Sequence, residues 1–106
     1  MTADEFRGIA LSFAGSEESS HMNHPDFRVG GKIFATLGPD MTWGMAKLTP
    51  EQQAEFMAVS PATFVPSAGA WGRGGATQII LVEADETLTH GALAAAFQHV
   101  SAKLKR

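Results

Sequence analysis

The chain contains no cysteine. A disulfide framework, a thiolate nucleophile and a sulfur-ligated metal site are therefore all excluded. Charged residues make up only 18% of the chain, and acids outnumber bases 11 to 8 for a net charge of −3. An acidic balance argues against coating nucleic acid through bulk electrostatics, so any contact with a polyanion has to be local. No apolar run approaches the roughly 20 residues that cross a bilayer. The opening MTADEFRGIALSF is acidic and amphipathic, without a basic leader ahead of an apolar stretch. The expectation is a protein with no export signal and no membrane contact, placed in the cytoplasm, where a chain without cysteine is at home. Familiar catalytic patterns are missing too. There is no Gly-x-Ser-x-Gly elbow and no His-Glu-x-x-His, and Gly72-Arg73-Gly74-Gly75 lacks the lysine of a phosphate loop. These absences favour a non-enzymatic protein without a cofactor.

What is present fits one folded unit. With 106 residues, 44% of them hydrophobic, residues 1–106 read as a single domain with a real core. Thr2 and Glu5 form a capping box ahead of Phe6, Ile9, Ala10 and Phe13, which predicts a helix over 3–14 stopped by Gly15. A short strand over 17–22 leads to a turn at Asn23-His24-Pro25. After Leu48, Thr49-Pro50-Glu51-Gln52 starts a second helix that Phe56 and Val59 anchor and Pro61 ends. Thr77 to Val82 is apolar enough for a central strand. The last helix opens within 85–89 and carries Leu93, Phe97, Val100 and Leu104 as its core stripe. The order α-β(3)-α-β(2)-α gives an α+β fold: a two-layer sandwich with an antiparallel sheet and helices on one face.

The stretch FRVGGKIFATLGPDMTWGMAKL, residues 27–48, carries the densest signal. Gly30-Gly31 supplies the positive φ angles of a two-residue hairpin, setting Val29 opposite Lys32, Arg28 opposite Ile33 and Phe27 opposite Phe34. A second reversal at Gly38-Pro39-Asp40-Met41 sets Leu37 opposite Thr42. Strict alternation then places Phe27, Val29, Lys32, Phe34, Thr36, Trp43, Met45 and Lys47 on one face. That face is aromatic and basic at once. Phe27, Phe34, Trp43 and, from a later segment, Trp71 offer a stacking or contact surface for bases, unless they simply fill the core. Trp71-Gly72-Arg73-Gly74-Gly75 resembles the first turn and suggests a second hairpin at Gly74-Gly75. Arg28, Lys32, Lys47 and Arg73, near the tips and margin, are the candidate cations for a phosphate backbone or a discrete anion, against the plainer role of keeping edges soluble.

His21, His24 and Asp26 carry the residue types of a metal site. Pro25 disfavours the helix that would align a His-x-x-His pair, and no third ligand stands nearby. We therefore expect no metal, only turn histidines hydrogen-bonded locally.

The residues His24-Pro25-x-Phe27-Arg28-Val29-x-Gly31-Lys32-Ile33-Phe34-Ala35, then Lys47-Leu48-x-Pro50-Glu51, then Trp71, together resemble the bacterial MmcQ/YjbR family across nearly the whole chain. The resemblance implies a small two-layer domain similar in architecture to type III secretion chaperones. It also implies membership of a family described as predicted DNA-binding with a double-wing motif. On this chain the wings would be the turns at Gly30-Gly31 and Gly74-Gly75. The functional expectation is thus a non-enzymatic binding domain with DNA or other nucleic acid as partner. The alternative is a protein-interaction or small-ligand module that uses the aromatic face, or a homodimer that buries it.

Overall fold

Thr2 and Glu5 form the predicted capping box: the Thr2 hydroxyl accepts from the Glu5 N–H at 3.1 Å, and the Glu5 carboxylate accepts from the Thr2 N–H at 2.8 Å. The helix they start, α1 (Ala3–Leu11), buries Phe6 and Ala10. It ends at Leu11 with Ser12 as its cap, short of the expected Ala14, and Gly15 at φ +85° turns the chain into the sheet. The computed structural model describes residues 1–104. Four strands follow in succession: β1 (Ser16–His21), β2 (His24–Val29), β3 (Lys32–Leu37) and β4 (Trp43–Lys47). The strand expected over 17–22 is thus a full member of the sheet. It turns at Met22-Asn23, both at positive φ, rather than at Asn23-His24-Pro25. Thr49 and Gln52 cap α2 (Pro50–Val59) reciprocally, at 3.1 and 3.0 Å, as the sequence predicts. Phe56 packs on Phe64 with ring centroids 5.1 Å apart, whereas Val59 is exposed.

β5 (Phe64–Pro66), α3 (Gly69–Arg73), β6 (Ala76–Ile80), a single 3-10 turn and α4 (Glu86–Leu104) complete the chain. The strand order is β1-β2-β3-β4-β6-β5, every pair antiparallel. The fold is the expected α+β sandwich, but its described residues form six strands and four helices where the order α-β(3)-α-β(2)-α was expected: four strands precede α2, and α3 stands between β5 and β6. α1 and α4 cover one face, where Phe6, Phe27, Phe34, Leu37, Leu93 and Val100 share the core. Among the described residues no helix is long and apolar enough to cross a membrane.

Two local features depart from the expected register. Phe27 pairs with Ala35 while Arg28 pairs with Ile33, so Phe34 is an extra residue in β3, a bulge. The bulge aims Phe34 and Ala35 to the same side and divides the expected aromatic and basic face in two. Thr36, Trp43, Met45 and Lys47 remain on the uncovered side. Phe27 and Phe34 join the core with no exposed surface, Phe27 against Phe6 and Phe34 edge-on to Phe13 and Phe97. They are therefore not a contact surface, because strict alternation fails where one strand carries an additional residue. The β3–β4 connection is longer than a tight turn. Gly38 N–H donates to Trp43 O at 2.8 Å, and Leu37 faces Gly44 rather than Thr42. This slip is of two residues, so each side chain keeps its face.

The second expected hairpin is absent. Gly69–Arg73 is helical, and Gly75, at φ +113°, is buried where a Cβ would collide with the Leu48 carbonyl. Gln53 of α2 secures this arrangement: its side-chain amide donates to Gly72 O, Ala76 O and Thr77 Oγ1 at 3.0 to 3.1 Å. Gly74-Gly75 is thus a helix exit pressed onto a neighbouring backbone, not the tip of a ribbon. The first hairpin is present, with Gly30 and Gly31 exposed at its turn and Gly30 lying against the end of the Leu104 side chain on α4.

Candidate functional site

With α1 and α4 on one side, the other side of the sheet is left open between β1 and α3, and it holds a groove of about 610 Å³. Its floor is Ile33, Thr36 and Met45, which the bulge and the antiparallel register bring onto one face. Ala70 and Trp71 of α3 form one flank, and His21 and Arg28 the other. Lys32 and Lys47 stand at the strand ends. A shallower depression of about 360 Å³ shares Thr36, Met45 and Trp71 and continues toward Trp43 and His24.

The sequence-predicted residues divide three ways. Lys32, Lys47 and Trp71 meet at the main groove, and Trp43 lies in the adjoining depression. Trp71 is 74% exposed, an unusual position for an indole. Lys32 and Lys47 are exposed, and neither forms an ion pair among the described residues. Arg73 is exposed on α3 and unpaired in the same sense, but outside the groove lining. Phe27 and Phe34 lie in the core on the opposite side of the sheet.

Arg28 reaches the groove, but not as a free cation. Its Nε donates to Asp26 Oδ1 at 2.7 Å and its Nη2 to Asp26 Oδ2 at 3.0 Å. Asp26 has no exposed surface, and the Arg28 guanidinium holds its carboxyl below the usual range despite burial. Asp26 in turn raises the arginine. His21 Nδ1 lies 2.6 Å from Asp26 Oδ2. An ionised carboxylate only accepts, so Nδ1 carries the proton. The expected local hydrogen bond holds for His21, within a three-residue cluster around the buried Asp26 that the sequence reading missed, whereas His24 Nδ1 is buried with no partner among the described residues. The signal was present in the hairpin, where His21 pairs with His24 and Ser19 with Asp26, which sets the Asp26 carboxylate diagonally next to the imidazole.

No curated protein matches the chain significantly. A crystal structure of the Deinococcus radiodurans protein DR2400, of the DUF419 domain family, is similar with a TM-score of 0.78 at 18% identity, over 94% of this chain and 78% of that one. At that identity the likeness speaks for the fold. The sequence model of the YjbR family matches residues 11–99, a span from the end of α1 into α4 that includes the whole sheet and every residue of the groove, and the chain belongs to the YjbR family.

Proposed function

We propose that this chain is a non-enzymatic binding protein whose site is the open-face groove, and that the groove takes a compact ligand with a flat apolar body and an acidic group. One observation carries the reading: a largely apolar floor and an exposed indole share a single groove with two lysines that form no ion pair among the described residues. The volume lies within the roughly 300–1,000 Å³ typical of small-ligand sites. Met45 supplies an adaptable apolar contact, and Trp71 a rigid face on which a planar body can stack. Ammonium groups at the open end favour an anion there without demanding bidentate geometry. Titration with anilinonaphthalene sulfonate, followed by dye and tryptophan fluorescence, tests this. Wild type is expected to bind, with Trp71→Ala and Lys47→Ala each weakening binding about tenfold, near 1.4 kcal/mol, at unchanged melting temperature. Absence of binding to the folded wild type overturns the reading.

A second reading has its own support. Exposed Trp71 shares the groove with Lys32 and Lys47, and Arg73 stands two residues further along α3, three cations unpaired among the described residues, which is the composition of a stacking platform for single-stranded nucleic acid. Each stacked base contributes about 1–3 kcal/mol on such a surface. The route would be the groove rather than a pair of wings, because the second hairpin is absent and Gly75 is buried. Tight binding of an oligothymidine at low salt, abolished by Trp71→Ala, distinguishes it from the first reading.

A further inference from the structure

The Asp26 cluster leaves two polar atoms unspent. Asp26 consumes Nε and Nη2 of Arg28 and Nδ1 of His21. Among the described residues, Nη1 of Arg28 and Nε2 of His21 form no hydrogen bond, although both side chains line the groove. A fully buried carboxylate thus holds a guanidinium and an imidazole rigidly at one flank of an otherwise apolar cavity. His21 gives the buried carboxylate a third donor and so helps to keep it ionised, while the same contact fixes the imidazole at the groove with Nε2 left over. Resting on the groove reading above, we propose that Arg28 Nη1 and His21 Nε2 form a second anion subsite, so that the ligand carries two acidic groups on one apolar body, one at Lys32 and Lys47 and the other at His21.

The charge of this subsite follows from its parts. Asp26 and Arg28 sum to zero, so the flank is neutral while His21 is neutral and carries one positive charge when His21 is protonated. The groups that face His21 are few. From β2 come Asp26, Arg28 and His24, whose ring centroid lies 4.4 Å from that of His21. Glu17 of β1 stands opposite Arg28. Lys32 of β3 and Lys47 of β4 lie across the groove, and α3 lines it through Ala70 and Trp71, which do not ionise. A bound acid at Nε2 completes a line of alternating charge: ligand anion, imidazolium, Asp26 carboxylate, Arg28 guanidinium. A second acidic group is therefore bound more tightly by the imidazolium form of His21 than by its neutral form.

A matched pair of probes separates this proposal from the reading it rests on. Naphthalene monosulfonate and naphthalene disulfonate share one flat body, and sulfonates do not titrate at these pH values. Isothermal titration of wild type is expected to show the disulfonate binding about tenfold tighter than the monosulfonate at pH near 5.5, with the gap closing by pH near 8. In His21→Asn the gap at low pH should vanish, because disulfonate affinity falls to that of the monosulfonate. In His24→Asn the gap should persist. If wild type binds neither sulfonate, the groove reading fails. If it binds both equally at low pH, or if His21→Asn keeps the gap, the second subsite is refuted and the groove stands. Melting curves for each variant confirm that the folded protein is being titrated.

Discussion

Asp26 is the residue on which the open face turns. It is fully buried, and its carboxylate is ionised because Arg28 donates twice to it. Removing one member of a buried pair leaves the other uncompensated, at a cost of about 3–5 kcal/mol, and a partly exposed Arg28 puts this case at the lower end. Asp26→Ala is expected to lower the urea midpoint by the equivalent of about 3 kcal/mol. The sign of the pH dependence follows from the depressed carboxyl. Its stabilisation is present above the ordinary aspartate value of 3.8 and is lost as pH falls below that value through the folded one. Asp26→Asn should therefore show a flatter stability curve below pH 3.8 than wild type, as measured by denaturant melts across pH. The aromatic residues separate in the same way. Phe34→Ala should cost about 3–5 kcal/mol as a fully buried side chain lost from the core, whereas Trp71→Ala should change stability by no more than about 0.5 kcal/mol. Sequence alone had grouped the two.

At the scale of elements, what was legible had local causes. Both capping boxes, the Gly30-Gly31 turn, the central position of β6 and the buried stripe of Leu93 and Val100 follow from residues within a turn or two of one another. α3 was not legible, since Gly69–Arg73 contains two glycines and no side-chain cap. It is a helix because Gln53, 19 positions earlier in the chain than Gly72, grips its end. This gives a prediction specific to the element. Gln53→Ala should speed hydrogen exchange at the amides of residues 72–76 and weaken anilinonaphthalene sulfonate binding, by freeing the flank that carries Trp71, while α1 and α4 exchange as in wild type.

For the molecule as a whole, the contrast is between an acidic chain and a locally basic groove. A net charge of −3 repels polyanions at long range, while Lys32 and Lys47 meet at the groove and Arg73 stands on the neighbouring α3, all three unpaired among the described residues. If single-stranded nucleic acid binds there, three phosphate contacts at about −0.7 each imply a slope of about −2 for log affinity against log salt. Lys32→Ala should reduce that slope by one contact. A much steeper dependence in fluorescence titrations would place the contacts elsewhere on the surface. Of the residues singled out in the sequence, Lys32, Lys47, Trp43 and Trp71 lie in one neighbourhood of the structure. The sequence reading placed Phe27 and Phe34 there too, because a bulge in β3 leaves no mark in the local pattern of apolar residues.

The amino-acid sequence determined the α+β class, the capped helices, the glycine hairpin and the family, since each depends on short-range stereochemistry or on a spaced motif. Tertiary structure decided which side of the sheet each aromatic faces, that Gly74-Gly75 ends a helix, and that Asp26 is buried with both Arg28 and His21 bound to it. Those outcomes are set by packing between segments distant in the chain, where a single extra residue in one strand outweighs the regular alternation of side chains.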